Sequence, residues 1–203
     1  MNNNSFKKLI TKEFHIMKDE KSLISIAPLS IDHYPENFAK VSLDKQSGNF
    51  DLISVYRKKE FKESSFSDEH KAMIALYVYG KRNFEFKEHD SNTDNKIERA
   101  NSIDELRTIF ETSFGDELFS FFDMKVNRFI LEKQENDRYN VLFFEEDYSK
   151  IYITKSRKLN IAAGVLYNYC VSLKRFYNLI EEMNLKEDVD FVKELEKIYL
   201  FKE

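Results

Sequence analysis

A run of three strands and a helix is written twice in this chain, and that repetition limits the folds open to it. Val41-Ser-Leu43-Asp44-Lys45-Gln46 returns as Phe129-Ile-Leu131-Glu132-Lys133-Gln134. Each copy enters a polar turn, Ser47-Gly48-Asn49 in the first and Glu135-Asn136-Asp137 in the second. Strand-like runs follow, Phe50 to Tyr56 and Tyr139 to Phe144. After charged reverse turns at Arg57 to Lys59 and Glu145 to Asp147 come third runs, Glu60 to Phe66 and Ser149 to Thr154. Each copy closes on a helix: Ser67 to Lys81, carrying Ala72, Leu76, Tyr77 and Tyr79, answers Leu159 to Met183, carrying Ala162, Leu166, Tyr167 and Tyr169. The offset hardly drifts, since 41 to 129, 50 to 139 and 72 to 162 are steps of 88, 89 and 90. Three antiparallel strands with one apolar face need a cover, and the helix supplies it. The fold class expected is α+β, with antiparallel sheets from two tandem βββα units covered by helices.

The remaining segments fit around these units. Glu13 to Met17 and Leu23 to Ala27 read as short strands, and Pro28 and Pro35 mark the loop before the first copy. His89 to Asn101 (HDSNTDNKIERAN) is polar and unpatterned, which makes it a linker. Ser102-Ile-Asp-Glu105 has the form of a capping box. The helix it opens runs to about Met124 on Leu106, Ile109, Phe110, Phe114, Leu118, Phe121 and Phe122, with Gly115 the point where it can divide. A last helix, Val189 to Phe201, carries Val189, Val192, Leu195, Ile198 and Tyr199 on one stripe. The organisation expected is an N-terminal unit over 1–88, a linker over 89–101 and a C-terminal unit over 102–203, or the same elements in one compact domain.

Composition removes several classes. Of 203 residues 42% are hydrophobic and 15% aromatic, enough for a core and too many for disorder. Asp and Glu number 36 against 32 Lys and Arg, a formal charge of -4, without the basic stripe of a general nucleic-acid binder. A single cysteine, Cys170, cannot close an internal disulfide. Met1 to Phe6 is Asn-rich and lacks an apolar segment of signal-peptide length. The longest apolar runs, such as Val141 to Phe144, fall far short of the roughly 18 residues a membrane span needs. A cytoplasmic protein is expected, with no membrane or nucleic-acid partner.

The usual catalytic patterns are missing from the sequence. Gly48, Gly80, Gly115 and Gly164 are isolated, so no phosphate-cradling loop is present. His15, His33, His70 and His89 lie at least 18 residues apart, and neither HExxH nor GxSxG occurs. Cys170 lies on the stripe Leu166, Tyr169, Leu173, Phe176, Tyr177, Ile180, a core position. No cofactor or metal site is read from these residues. One set resembles a metal-dependent hydrolase: Asp51 on one strand and Glu60-Phe61-Lys62 on the next. A hairpin turning at Arg57 to Lys59 puts Asp51 opposite Ser65, about 10 Å along the sheet from Lys62 at ~3.3 Å per residue. A solvent-facing hairpin with alternating charges is the simpler reading.

The other acidic candidate is Glu145-Glu146-Asp147 with Tyr148 after it. Three carboxylates in one turn repel one another. Set against a Lys/Arg-rich partner they become complementary, with Tyr148 and Tyr139 as contact area. These four residues, Glu145, Glu146, Asp147 and Tyr148, form the expected partner-binding site, and a solvated turn is the plainer alternative.

The stretch FDLISVYRKKEFKESSFSDEHKAMIALY, a strand pair running into a helix opened by Ser-Asp-Glu, resembles bacterial polymorphic-toxin immunity proteins. The likeness covers about Phe50 to Tyr79 and more faintly Tyr139 to Tyr177, and it implies no site residues. It implies a non-catalytic inhibitor whose partner is a cognate toxin domain bound one to one. The alternatives are a regulatory or scaffold protein of a defence or mobile-element system, with a homodimer through an apolar helix face, and the hydrolase built on Asp51, Glu60 and Lys62.

Overall fold

The computed structural model describes residues 9–20, 23–29, 35–85 and 90–201. The chain forms two compact units, one from Met1–Lys87 together with Ile180–Glu203 and one from Glu88–Leu179. Both are α+β.

The first unit is an antiparallel meander of five strands in chain order: β1 (His15–Glu20), β2 (Leu23–Ala27), β3 (Asn37–Leu43), β4 (Phe50–Tyr56) and β5 (Lys59–Phe66). Helical residues 9–13 precede it, so Glu13 lies outside the first strand, which had been expected to begin there. Alternate residues define the core face. Ile24 faces Val41, Ile26 faces Ala39 and Val41 faces Leu52, all buried. Helix α1 (Glu69–Asn83) covers that face, its N-terminus capped by the Asp68 carboxylate, which accepts from Lys71 N–H at 2.9 Å. Every residue from Ala72 to Gly80 is buried, the signature of a helix enclosed on all sides rather than laid on a surface. At Gly80 the approach is closest. A β-carbon there would stand 2.8 Å from both Ile26 Cδ1 and Phe14 Cζ.

The second unit begins where a linker is expected. Residues Ser91–Arg99 form helix α2, capped by Asp90, whose carboxylate accepts from the Asn92 and Thr93 amides at 3.1 and 3.2 Å. Its sole buried residue is Ile97, so the segment shows no apolar stripe by which sequence reading could find it. Helix α3 (Ile103–Phe114) has the expected Ser102 cap, with Ser102 Oγ accepting from Glu105 N–H and the Glu105 carboxylate accepting from Asn101 N–H. It ends at Gly115, at φ +67° with an extended ψ that suits glycine. No helix follows to Met124. Phe119–Phe121 is strand β6, all three residues buried; Leu118, Phe121 and Phe122 had fitted a helix face by their i, i+3, i+4 spacing. The sheet continues with β7 (Arg128–Lys133), β8 (Tyr139–Phe144) and β9 (Lys150–Arg157), in the order β6-β7-β8-β9. β6 is parallel to β7, an exception to the antiparallel pairing expected throughout.

Helix α4 (Leu159–Glu182) covers this second sheet with Ala162, Ala163, Leu166, Cys170, Leu173 and Phe176 buried at helical spacing. Phe110 of α3 is its aromatic hub. It is fully buried, with ring centroids of Phe119, Phe121 and Tyr167 at 5.1, 5.3 and 5.5 Å. The two copies inferred from sequence are thus β3-β4-β5-α1 and β7-β8-β9-α4.

The expected C-terminal unit over 102–203 also loses its last helix. Helix α5 (Val189–Phe201) belongs to the first unit and packs on α1. The face it buries is Phe191, Leu195, Ile198, Tyr199 and Leu200, while Val189, read as part of the stripe, is 58% exposed. Phe191 stands edge-on to Phe66 at 6.0 Å, and Asp188 accepts from Lys71 Nζ at 2.7 Å. Burying that face outweighs proximity in sequence.

Leu166 is fully buried, so Leu166→Ala should cost about 2–5 kcal/mol in denaturant unfolding. A loss below ~1 kcal/mol would show that α4 does not present this face to the core.

Candidate partner-binding surface

The β8–β9 hairpin brings Glu145, Glu146, Asp147 and Tyr148 together in one turn. Glu145 N–H donates to Ser149 O and Tyr148 N–H to Glu145 O, each at 3.0 Å, closing a four-residue turn. Tyr148 then takes φ +65°, a left-handed backbone that suits Gly or Asn and is costly for an aromatic residue. Tyr148 is 74% exposed, the most exposed of the large apolar side chains described, and its ring centroid lies 6.0 Å from that of Phe144.

Each carboxylate of the turn accepts a hydrogen bond. Glu145 Oε2 accepts from Ser149 Oγ at 2.6 Å, Asp147 Oδ1 from Ser149 N–H at 2.9 Å, and Glu146 Oε1 from Asn127 Nδ2 at 2.9 Å. These bonds oppose the mutual repulsion and hold three negative charges on one short segment. Tyr139, expected to contribute, does not. It opens β8 opposite Lys133 and Arg157, at the end away from the turn, and is buried.

Sequence reading missed the neighbour of this turn. Asn127 closes the link between β6 and β7, residues 122–127, and its own N–H donates to Phe144 O at 2.7 Å. Phe122, Met124 and Val126 in that link are 39%, 38% and 42% exposed. Phe122 was expected on a buried helix face ending at about Met124, and Val126 had no place in that reading; the parallel placement of β6 puts all three on a surface link.

Behind the turn, β9 is tied to β7 across β8. Lys150 Nζ donates to Glu132 Oε1 at 2.9 Å, while Asn140 Nδ2 donates to Glu132 Oε2 at 2.8 Å. Burial raises the Glu132 pKa, but the bonds from Lys150 and Asn140 outweigh it and hold the carboxyl below its usual range. Asn140, itself buried, accepts from Ser156 N–H at 2.9 Å.

The hydrolase set resolves into ion pairs. Asp51 faces Ser65 as expected and accepts from Ser65 Oγ at 2.6 Å. The expected 10 Å separation from Lys62 does not hold. A bulge shifts the register between Leu52 and Ile53, setting Lys62 opposite Ile53, and the long side chain brings Nζ to 2.8 Å from Asp51 Oδ1. Glu60 turns the other way, its Oε1 accepting from Lys40 Nζ of β3 at 2.6 Å. Each carboxylate is matched by its own lysine, and the two do not converge on one point. Among the described residues no three His, Cys, Asp or Glu are grouped to hold a metal ion.

Two other features are structural. Cys170 is fully buried, and burial pushes its thiol well above the ordinary range. In the first unit a cleft of about 560 Å³ has Glu13, Lys81 and Glu85 among its walls. Lys81 pairs with both carboxylates, and Tyr77 Oη donates to Glu13 Oε2 at 2.9 Å.

Two measurements follow. The Glu132 carboxyl should titrate below a free glutamate by carbon-13 NMR, and Lys150→Met should move the midpoint upward. Because the folded pKa is lowered, this contribution to stability is present above the unfolded glutamate value and lost as pH falls through the folded one. Native Cys170 should react with a thiol reagent no faster than the chain unfolds.

No helix among the described residues is long and apolar enough to cross a membrane. Comparison with protein-family models, with curated proteins and with solved structures finds no match to this chain.

Proposed function

We propose that this chain is a non-catalytic protein-binding inhibitor, an immunity protein that neutralises a cognate bacterial toxin in the cytoplasm by direct one-to-one binding. The observation that carries the reading is the β8–β9 turn, where Tyr148, 74% exposed, is held outward beside three carboxylates. Exposed aromatic rings on a rigid support are the side chains that interfaces bury as anchors. Fixed like charges around such an anchor speed encounter with an oppositely charged partner and reject an acidic one. The resemblance of Phe50 to Tyr79 to immunity proteins supplies the class of partner, and the negative turn supplies its sign: a toxin surface rich in Lys and Arg.

The geometry favours binding over hydrolysis. In the first unit Asp51 and Glu60 are occupied by separate lysines, so the residues with the closest likeness to a hydrolase are arranged as a cross-strand lattice.

The test is co-expression of the tagged chain with the products of its neighbouring open reading frames. The expected result is a stoichiometric complex with a protein that is toxic alone and harmless with this chain. Tyr148→Ala should weaken that complex by at least about tenfold, the loss of a modest interface anchor. Glu146→Lys should weaken it further at low salt than at high salt. A chain that purifies as a homodimer with no such partner would overturn the reading in favour of a regulatory or scaffold protein.

A further inference from the structure

A link between parallel neighbouring strands ordinarily takes a dozen or more residues and a helix that buries its own apolar side chains. Here residues 122–127 do it alone. β6 pairs with β7 through Phe119–Phe129 and Phe121–Leu131, so the link must run back from the level of Leu131 to that of Arg128, about 10 Å at ~3.3 Å per residue. Six residues can span that distance, but they form no helix that would bury Phe122, Met124 and Val126.

The link is pinned as well as exposed. Phe122 N–H donates to Leu131 O at 3.0 Å, and Asn127 donates from its backbone to Phe144 O and from its side chain to Glu146. Phe122 and Asn127, its two ends, both have left-handed φ, +76° and +58°. Eleven large apolar side chains are exposed among the described residues. Four of them, Phe122, Met124, Val126 and Tyr148, belong to this link and the turn bonded to it. Exposed apolar side chains gathered on an anchored segment mark an interaction surface, because anchoring removes part of the ordering cost of binding.

Resting on the reading above, we infer that residues 122–127 are the apolar half of the docking surface, and that the partner presents an apolar pocket ringed by Lys and Arg. Charge identifies the occupant. The link contributes Asp123 and Lys125, which cancel, so Glu145, Glu146 and Asp147 beside it set the sign of the surface. A basic rim meets those carboxylates while the pocket takes Met124 and Val126 with the Tyr148 ring.

The experiment uses the full chain and the partner isolated with it, labelled, in binding titrations across a range of salt. The double variant Met124→Ser with Val126→Ser should bind at least about tenfold more weakly with an unchanged salt dependence, whereas Glu146→Lys should weaken binding and flatten that dependence. Ile161→Ser, on a still more exposed apolar residue of α4, should bind as the parent does. Thermal melting of each variant confirms folding, and hydrogen exchange of the parent should show protection over 122–127 in the complex. Parent-like binding by the double variant, with Tyr148→Ala still impaired, overturns the link's role and leaves the inhibitor reading standing. Equal loss from Ile161→Ser also overturns it. A partnerless homodimer that the double variant converts to monomer shows that the link meets a second copy, and both readings then fail.

Discussion

Each sheet of this protein has an apolar face that is stable only when a helix covers it, and the rest of the structure depends on how that requirement is met. In the first unit α1 lies over β3 and β4, and α5 covers α1, so nine consecutive helical residues are buried. In the second, α4 covers the sheet while Phe110 of α3 gathers Phe119, Phe121 and Tyr167. Burial of aromatic and branched side chains is the dominant favourable term available to a chain with one cysteine. It also decides allegiance. α5 joins the first unit because its Phe191, Leu195 and Ile198 are buried there.

β8 shows what this does for a surface. All six of its residues are buried, with Ile130, Leu142 and Phe144 forming a cluster on one side of the β7–β8 pair. On the other side Phe129 meets Phe143 at 4.9 Å and Tyr169 at 5.2 Å. A strand buried on both faces cannot slip by one residue without exchanging its two sets of side chains. The register of β8 with β7 and β9 is therefore held firmly, and so is the turn that β8 delivers. The polar set of Glu132, Asn140 and Lys150 reinforces it, since the buried Asn140 and the largely buried Glu132 are hydrogen-bonded where an unpaired group would be costly. Charges elsewhere on the sheets are paired across strands, as in Lys40 with Glu60 and Lys62 with Asp51.

Much of this was legible in the residues. Strand-like runs opened by polar turns located β4 and β8 to the residue, the Ser-x-x-Glu pattern located the start of α3, and the spacing of the echo paired β3-β4-β5-α1 with β7-β8-β9-α4. The hairpin register placed Asp51 opposite Ser65. The bulge that carries Lys62 to Asp51 was not legible, because an extra residue in one strand leaves no mark on the alternation of the other. Helix α2 was hidden because one buried isoleucine makes no stripe. β6 was hidden because Leu118, Phe121 and Phe122 fit the i, i+3, i+4 spacing of a helix. Of the candidate surface, the acidic turn and Tyr148 were visible, and the link beside them was not.

Periodicity is local, and that is why the sequence by itself determined the kind of each strongly patterned element, the α+β class and the acidic turn. A residue's preference for strand or helix, and the charge of a turn, are carried by neighbours a few positions away. Which surfaces those elements leave open was decided only by tertiary structure. Whether Phe122, Met124 and Val126 are core or surface depends on β6 lying parallel to β7, and whether α5 belongs with its sequence neighbours depends on which apolar face is there to receive it. Both are consequences of burial between residues distant in the chain, which no local pattern records.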